Sequence, residues 1–249
     1  MKNQTIENEA GERRFQGHMS EEYLIVMQGI PHLADMDRRV QEAIIGYRDC
    51  EKTGQPLKVL EVGCGPGRAT AKIIASRPGL NLVAIDSEPK LAVQARRYLS
   101  EAVDDGILSI VEADALVYLQ ASPDNHFDIV IEVLCLHNLE LNYRNQVLQE
   151  IYRTLKPGGL FIAADKFPPD DPVMFSKLLQ DHIGLFVDGI APSGRFDLLK
   201  EVVLHELADF SPERIMKEQE SLQILMNLGF QNCRFIFRRN FDCVFLTNK

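Results

Sequence analysis

The chain has 249 residues, 45% apolar and 25% charged, enough to bury a full core in one elaborated domain, and this excludes a disordered chain. Its net charge of −9 argues against a protein that grips duplex DNA, because displacing counterions needs a positive surface. No apolar run approaches the roughly 20 residues that cross a bilayer, and Met1-Lys2-Asn3-Gln4 is polar, so the reading is of a cytoplasmic protein without membrane contact. In chain order, Ser20-Glu21-Glu22 offers a cap and an acidic first turn for a helix beginning there. A second helix is predicted over about 35–50, with Met36, Val40, Ala43, Ile44 and Tyr47 at helical spacing. Both precede the first strand, so 1–52 reads as an N-terminal helical cap and 53–166 as a core.

That core opens on Val59-Leu60-Glu61-Val62-Gly63-Cys64-Gly65-Pro66-Gly67, an apolar strand running through an acid into three alternating glycines. Such a turn brings main chain up to a nucleotide-like ligand, and a helix over Arg68 to Ser76 points its free N–H groups at the same place. A dinucleotide fold would carry a further glycine where Arg68 stands, which puts an NAD dehydrogenase last among the candidates. Next comes a strand over Asn81 to Ile85 ending in Asp86, whose carboxylate can accept from both hydroxyls of a ribose. Its other use is to cap the following helix, predicted over 88–103, for which Ser87 competes. Ile107 to Glu112 leads to Asp114-Ala115, Phe127 to Glu132 is a fourth strand, and a helix over 141–155 stops at Leu155-Lys156-Pro157-Gly158-Gly159 before a fifth strand.

The stretch 167–210 is far longer than ordinary connections, with helical runs over 173–186 and 196–207 parted by Ala191-Pro192-Ser193-Gly194. It reads as a helical lid above the crevice, with a homodimer contact as its alternative use. Residues 211–249 complete the core: Ser211-Pro212-Glu213 starts a helix that Gly229 ends, and two strands follow around an Arg239-Asn240 turn. The five cysteines, Cys50, Cys64, Cys135, Cys233 and Cys243, have no CxxC spacing, and the six histidines no HExxH, so no disulfide framework and no metal site is expected.

This order of motifs resembles the class I, Rossmann-like S-adenosylmethionine-dependent methyltransferases, with Glu61 and the glycines as the first motif. The resemblance implies an α/β fold with a mostly parallel seven-stranded sheet, helices on both faces and an antiparallel last strand. It implies S-adenosyl-L-methionine as cofactor and S-adenosyl-L-homocysteine as product. Gly63, Cys64, Gly65 and Gly67 would surround the amino-acid portion, Asp86 with Ser87 the ribose, and Asp114 with the Ala115 amide the adenine. Glu132 would offer a backbone carbonyl to the ammonium, and Glu61 would order the glycine loop. Arg38 or Arg39 could pair with the donor's carboxylate as a guanidinium fork, or both could be solvated.

Methyl transfer needs alignment and a dry enclosure, and a base only where the acceptor must lose a proton. His137, in Leu136-His137-Asn138-Leu139 just past the fourth strand, is the first candidate, with a packed structural histidine as the other reading. His182 and His205 lie in the insertion and would face either the acceptor or solvent. The leading expectation is a methyltransferase for a small enclosed acceptor. Modification of a tRNA or protein side chain stays open, with Arg234, Arg238 and Arg239 the compact basic candidate, as does a non-catalytic binder of the cofactor. The whole-chain plan, including Asp165-Lys166-Phe167, is also similar to the carboxy-S-adenosylmethionine synthase branch. That branch holds its extra carboxylate with an arginine in the late insert, where counting back from Gly229-Phe230 gives Glu206 here.

Overall fold

The computed structural model describes residues 22–47 and 54–249, so the Ser20 cap, His18 and Cys50 lie outside the described residues. The first described elements are a short helix α1 (Tyr23–Val26), continued by a 3-10 turn (Met27–Gly29), and helix α2 (Leu33–Gly46). Alternation follows: β1 (Leu57–Val62), α3 (Arg68–Ser76), β2 (Leu80–Asp86), α4 (Pro89–Tyr98), α5 (Ser100–Asp104), β3 (Leu108–Glu112), α6 (Ala115–Ala121) and β4 (Phe127–Val133). Then come α7 (Leu141–Thr154), β5 (Leu155–Lys166), α8 (Pro172–Ile190), α9 (Phe196–Asp209), α10 (Glu218–Leu228), β6 (Gln231–Arg239) and β7 (Asp242–Asn248). The seven strands form one sheet in the order β3-β2-β1-β4-β5-β7-β6. β7 runs antiparallel to both its neighbours, and the pairings from β3 to β5 are parallel.

Strand sequences such as Phe-Asp-Ile-Val-Ile-Glu-Val in β4 are buried along their whole length, as a sheet covered on both faces requires. Alternation sends Val59, Ile129 and Ile162 to one face, against Met36 and Ile44 of α2, Ile73 of α3 and Ala92 of α4. Leu60, Val130 and Phe161 face the other way, against Leu119 of α6, Ile151 of α7 and Leu225 of α10. The N-terminal cap therefore divides in space. α2 is a layer of the sheet's core, through the predicted stripe of Met36, Val40 and Ile44. Val26 and Ile30 join Phe186 and Ile190 of α8 and Leu198 and Val202 of α9 in a small separate core. Gly29 is needed at that contact, for a Cβ there would lie 2.1 Å from the Phe186 ring.

Three local expectations are corrected. The helix predicted over 88–103 breaks at Leu99, whose side chain drops onto Gly67. The helix predicted from Ser211 begins at Glu218 instead. Tertiary bonds claim the carbonyls its first turn would have used: Arg144 Nη1 donates to Arg214 O at 2.7 Å, and Leu141 N to Glu213 O at 2.7 Å. The Ser211 hydroxyl is buried without a partner rather than capping. The last hairpin turns at Asn240-Phe241, between the paired Arg239 and Asp242, one residue later than predicted. Asn240 takes the left-handed conformation (φ 54°), and Phe241 is buried against Phe175, Phe210 and His182.

Candidate active site

The cavity lies at the C-terminal ends of the strands, where β1 pairs with β2 on one side and β4 on the other, the switch point at which open α/β sheets bind ligands. Its half over β1 to β3 is made mainly of main chain. Gly63 (φ 73°) admits no side chain, since a Cβ would sit 2.3 Å from Cys135 Sγ, and Gly65 (φ 54°) has open space where its Cβ would be. Asp86 locks this turn to the end of β2: Oδ2 accepts from Gly65 N at 2.7 Å and Oδ1 from Glu88 N at 2.8 Å. Burial raises the Asp86 pKa, and those two N–H groups partly offset the rise. Asp114 caps α6, its Oδ1 accepting from Val117 N at 3.1 Å and from the Tyr143 hydroxyl at 2.6 Å. Gly63, Cys64, Gly65, Asp86, Ser87, Asp114, Ala115 and His137 all line this one cavity.

Four of the residues expected at the donor site do not line the cavity. Gly67 packs under α4, its Cβ position 3.3 Å from that of Ala95, and does not line the cavity. Glu61 is buried behind the loop, with both carboxylate oxygens and the neighbouring Thr70 hydroxyl lacking a hydrogen bond of standard geometry. Desolvation pushes its pKa up to about 7. Glu132 is fully buried beneath the cavity, where its Oε2 accepts from Cys135 N at 3.1 Å and Leu136 N at 3.4 Å. Arg38 points to solvent, 56% exposed, paired with Asp35 and Glu42 on its own helix. Arg39 likewise pairs with Glu42. Beside the glycine turn, a cation that does line the cavity is Arg68, in an ion pair with the buried Asp37 of α2. Its position directly after the glycines was the available signal, and the sequence reading used it only to exclude another fold.

Over β4 and β5 the cavity is built from charged side chains. After β4 the chain passes through Leu134 at a positive φ of 55°, a strained place for a branched residue, and enters a 3-10 turn, Leu136–Asn138. Glu132 holds this turn from below. Asp165, at the end of β5, holds its centre: Oδ2 accepts from His137 N at 3.1 Å, and Oδ1 lies 2.5 Å from His137 Nδ1. The carboxylate thus fixes a ring proton on Nδ1 and leaves Nε2 3.1 Å from the Asn138 amide nitrogen. Burial raises the Asp165 pKa, but the His137 ring, the Lys166 N–H and Glu132 together outweigh it, and the net shift is downward. Glu132, desolvated and next to Asp165, is pushed well above the usual carboxylate range.

Beside His137, Lys166 Nζ donates to Glu206 Oε2 at 2.6 Å and to Asp209 Oδ2 at 2.9 Å, all three groups buried. His182 Nε2 lies 2.7 Å from the same Glu206 oxygen, and His205 Nε2 3.9 Å from Asp209 Oδ1. Against the cost of burial, Lys166 and His182 hold the Glu206 pKa down to about 2. Lys166, His205 and Glu206 line the cavity with Val26, Met27 and Ile30 from the N-terminal segment. Of the two histidines of the insertion, His205 lines the cavity, and His182 is buried against Phe186, Phe210, Phe241 and Glu206. Lys166, Asp165 and Asp209 have no sequence signal as parts of the site, since only the fold brings the end of β5 against α9.

A parallel sheet whose switch point opens on a glycine turn, with acids at the ends of β2 and β3, defines an α/β protein with a site shaped for a nucleoside cofactor. Residues 60–163 match the family described as "Methyltransferase domain". Carboxy-S-adenosyl-L-methionine synthase of Klebsiella pneumoniae (strain 342) is 25% identical over 154 residues, 57% of this chain and 61% of that protein. That of Erwinia tasmaniensis is 27% identical over 127 residues, half of each chain. Among solved structures, a SAM-dependent methyltransferase from Aquifex aeolicus superposes with a TM-score of 0.59 at 16% identity, covering 94% of this chain and 98% of that one. The (4+2)-cyclase SpnF superposes at 0.52 and 16% identity, covering 81% and 60%, so the fold by itself does not specify methyl transfer. The chain thus carries a segment, residues 60–163, that matches a methyltransferase domain, on a fold shared with S-adenosylmethionine-dependent methyltransferases.

Proposed function

We propose that the protein transfers a methyl group from S-adenosylmethionine to a small acceptor enclosed between the core and the α8–α9 hairpin. The observation that carries this reading is one cavity that joins the glycine turn, Asp86 and Asp114 to a buried histidine oriented by Asp165. The residues fit the cofactor. Each Asp86 oxygen accepts one backbone N–H and has lone pairs left for ribose hydroxyls, and the Asp114 bonds fall on Oδ1, leaving Oδ2 for an exocyclic amine. The open face of Gly65 lets a ligand touch main chain, and Arg68 supplies the carboxylate partner for which Arg38 is misplaced.

When bound, the cofactor supplies an activated methyl carbon for in-line displacement. The chain's own contribution is enclosure and placement. Val26, Met27, Ile30 and Val202 give the cavity apolar walls that exclude water. Where the acceptor carries a proton, His137 activates it through the Nε2 lone pair, and Asp165 stabilises the positive charge that appears on the ring. Neither acceptor alternative of a macromolecule gains support from the basic candidate, since Arg238 is paired with Glu218 at 2.7 Å. Glu206, ionised at the cavity wall and already bound to Lys166, speaks against a carboxylated donor as in the Klebsiella relative.

Calorimetric titration with S-adenosylmethionine, S-adenosylhomocysteine, the carboxylated donor and NAD tests the reading. The two plain sulfur nucleosides are expected to bind. Preference for the carboxylated donor would move the protein to the synthase branch, and binding of NAD alone would sink the proposal. Release of S-adenosylhomocysteine with a panel of amines, phenols, thiols and carboxylic acids then separates an enzyme from a binder.

A further inference from the structure

The floor of the cavity carries more negative than positive charge. Asp165, Glu206 and Asp209 present three buried carboxylates against the fixed cations Lys166 and, facing Asp165, Arg144, with the buried Asp242 close by, so the cluster accommodates further positive charges. Imidazolium protons could supply them, and so could one dication. The geometry favours the second. One ligand atom each of His137, His205 and Asp209 lies within 4.8 Å of the other two. His137 Nε2 is 3.6 Å from Asp209 Oδ2, and His205 Nε2 is 3.9 Å from Asp209 Oδ1. Ligand atoms around a bound ion sit about 3.0–3.4 Å apart for bonds near 2.1 Å, so side-chain rotations of a fraction of an ångström to somewhat over one close the shell.

We propose that His137, His205 and Asp209 bind a divalent transition-metal ion at the acceptor half of the cavity. Two imidazoles and one carboxylate are a donor set for Fe(II), Mn(II), Co(II) and Zn(II). The outer shell is already in place, because Asp165 accepts from Nδ1 of His137 and presents its other nitrogen as a lone pair, the arrangement found behind metal-bound histidines. His137 and His205 line the cavity and Asp209 lies beneath it, so the remaining coordination positions open toward the acceptor. Binding displaces two donors. The Asn138 amide leaves Nε2, and Lys166 releases Asp209 while keeping Glu206 at 2.6 Å. The ion then takes the Nε2 lone pair, so in the loaded form it, rather than His137 as a base, offers an acceptor's oxygen or nitrogen a fixed place to bind. Ion binding itself is independent of the methyltransferase reading, and only its role toward the acceptor rests on it.

The test is titration of chelator-treated protein with Co(II), followed by visible absorbance, and with Zn(II) and Mn(II) by calorimetry. One ion per chain is expected, with two paramagnetically shifted imidazole N–H resonances in the Co(II) form. His205→Gln should bind Co(II) at least about ten-fold more weakly, and Asp165→Asn, which loosens the His137 ring but removes no ligand, about 10–100-fold more weakly. Thermal unfolding and S-adenosylmethionine calorimetry on the same samples separate ligand loss from misfolding. No binding of any of the three ions at millimolar concentration, fewer than two shifted imidazoles, or undiminished affinity in a folded His205→Gln would each overturn the site. Failure of the metal-free protein to bind S-adenosylmethionine would instead strike the methyltransferase reading and leave the ion site standing.

Discussion

Over β1 to β3 the cavity is walled by main chain and two acids that follow their strands directly; over β4 and β5 it is walled by Lys166, His137, His205 and Glu206, drawn from β5, a turn and α9. The first wall is local. Its hydrogen bonds tie Gly65 to Asp86 and Asp114 to Val117, and its shape depends on Gly63, where a side chain would run into Cys135. The second is a cluster of buried charged groups spanning Glu132 to Asp242, joined through Asp165, Lys166, Glu206 and Asp209. One fold thus walls a cavity in two ways: by backbone that costs little to desolvate, and by charges whose burial must be balanced.

The two walls should respond differently to substitution. Lys166→Met leaves Glu206 and Asp209 buried without their cation, and is expected to cost about 3–5 kcal/mol in urea unfolding. A loss under 1 kcal/mol would show that the histidines carry the compensation alone. Asp86→Ala should weaken S-adenosylmethionine by about 1–3 kcal/mol in calorimetry, with a smaller effect on folding, and unchanged affinity would remove it from the ribose.

Glu61 contrasts the walls by pH. Its folded pKa of about 7 lies above the ordinary 4.5, so the folded chain holds the proton more tightly than the unfolded one. The stability this brings is present below pH 4.5 and is lost as pH rises to 7. Glu61→Gln should therefore match the wild type near pH 5 and exceed it by about 1–3 kcal/mol at pH 8. Parallel stability curves for the two proteins would show that the acid finds a partner. Arg38→Ala is the smallest effect: affinity for the donor and stability should both stay within about 0.5 kcal/mol, as for an exposed pair.

The donor wall was legible because its signals are contiguous. Asp86 and Asp114 each end a short apolar run, and the glycines precede a helix that begins where expected, at Arg68. His137 could be placed for the same reason, as the residue just past β4. Its partner Asp165 could not, since the bond joins residues 28 apart across two parallel strands. Arg38 and Arg68 show the limit from the other side. A helical stripe told which face of α2 is buried, but only packing put Asp37 rather than Arg38 toward the glycine turn. Ser211 misled because its cap signal is local, whereas the carbonyls it needed are taken by Arg144, from a helix far back in the chain.

The small core that joins Val26 and Ile30 to Phe186, Ile190, Leu198 and Val202 has a consequence for the order of folding. The roof of the cavity is assembled from two segments separated by almost the entire sheet, so it cannot close until the strands between them are in place. The glycine turn and its two acids, by contrast, depend on neighbours nearby in sequence and can form early. During synthesis the donor wall is then a finished surface while the acceptor wall still waits for α9. A nascent chain halted before Phe196 would expose an open cofactor crevice with nothing above it.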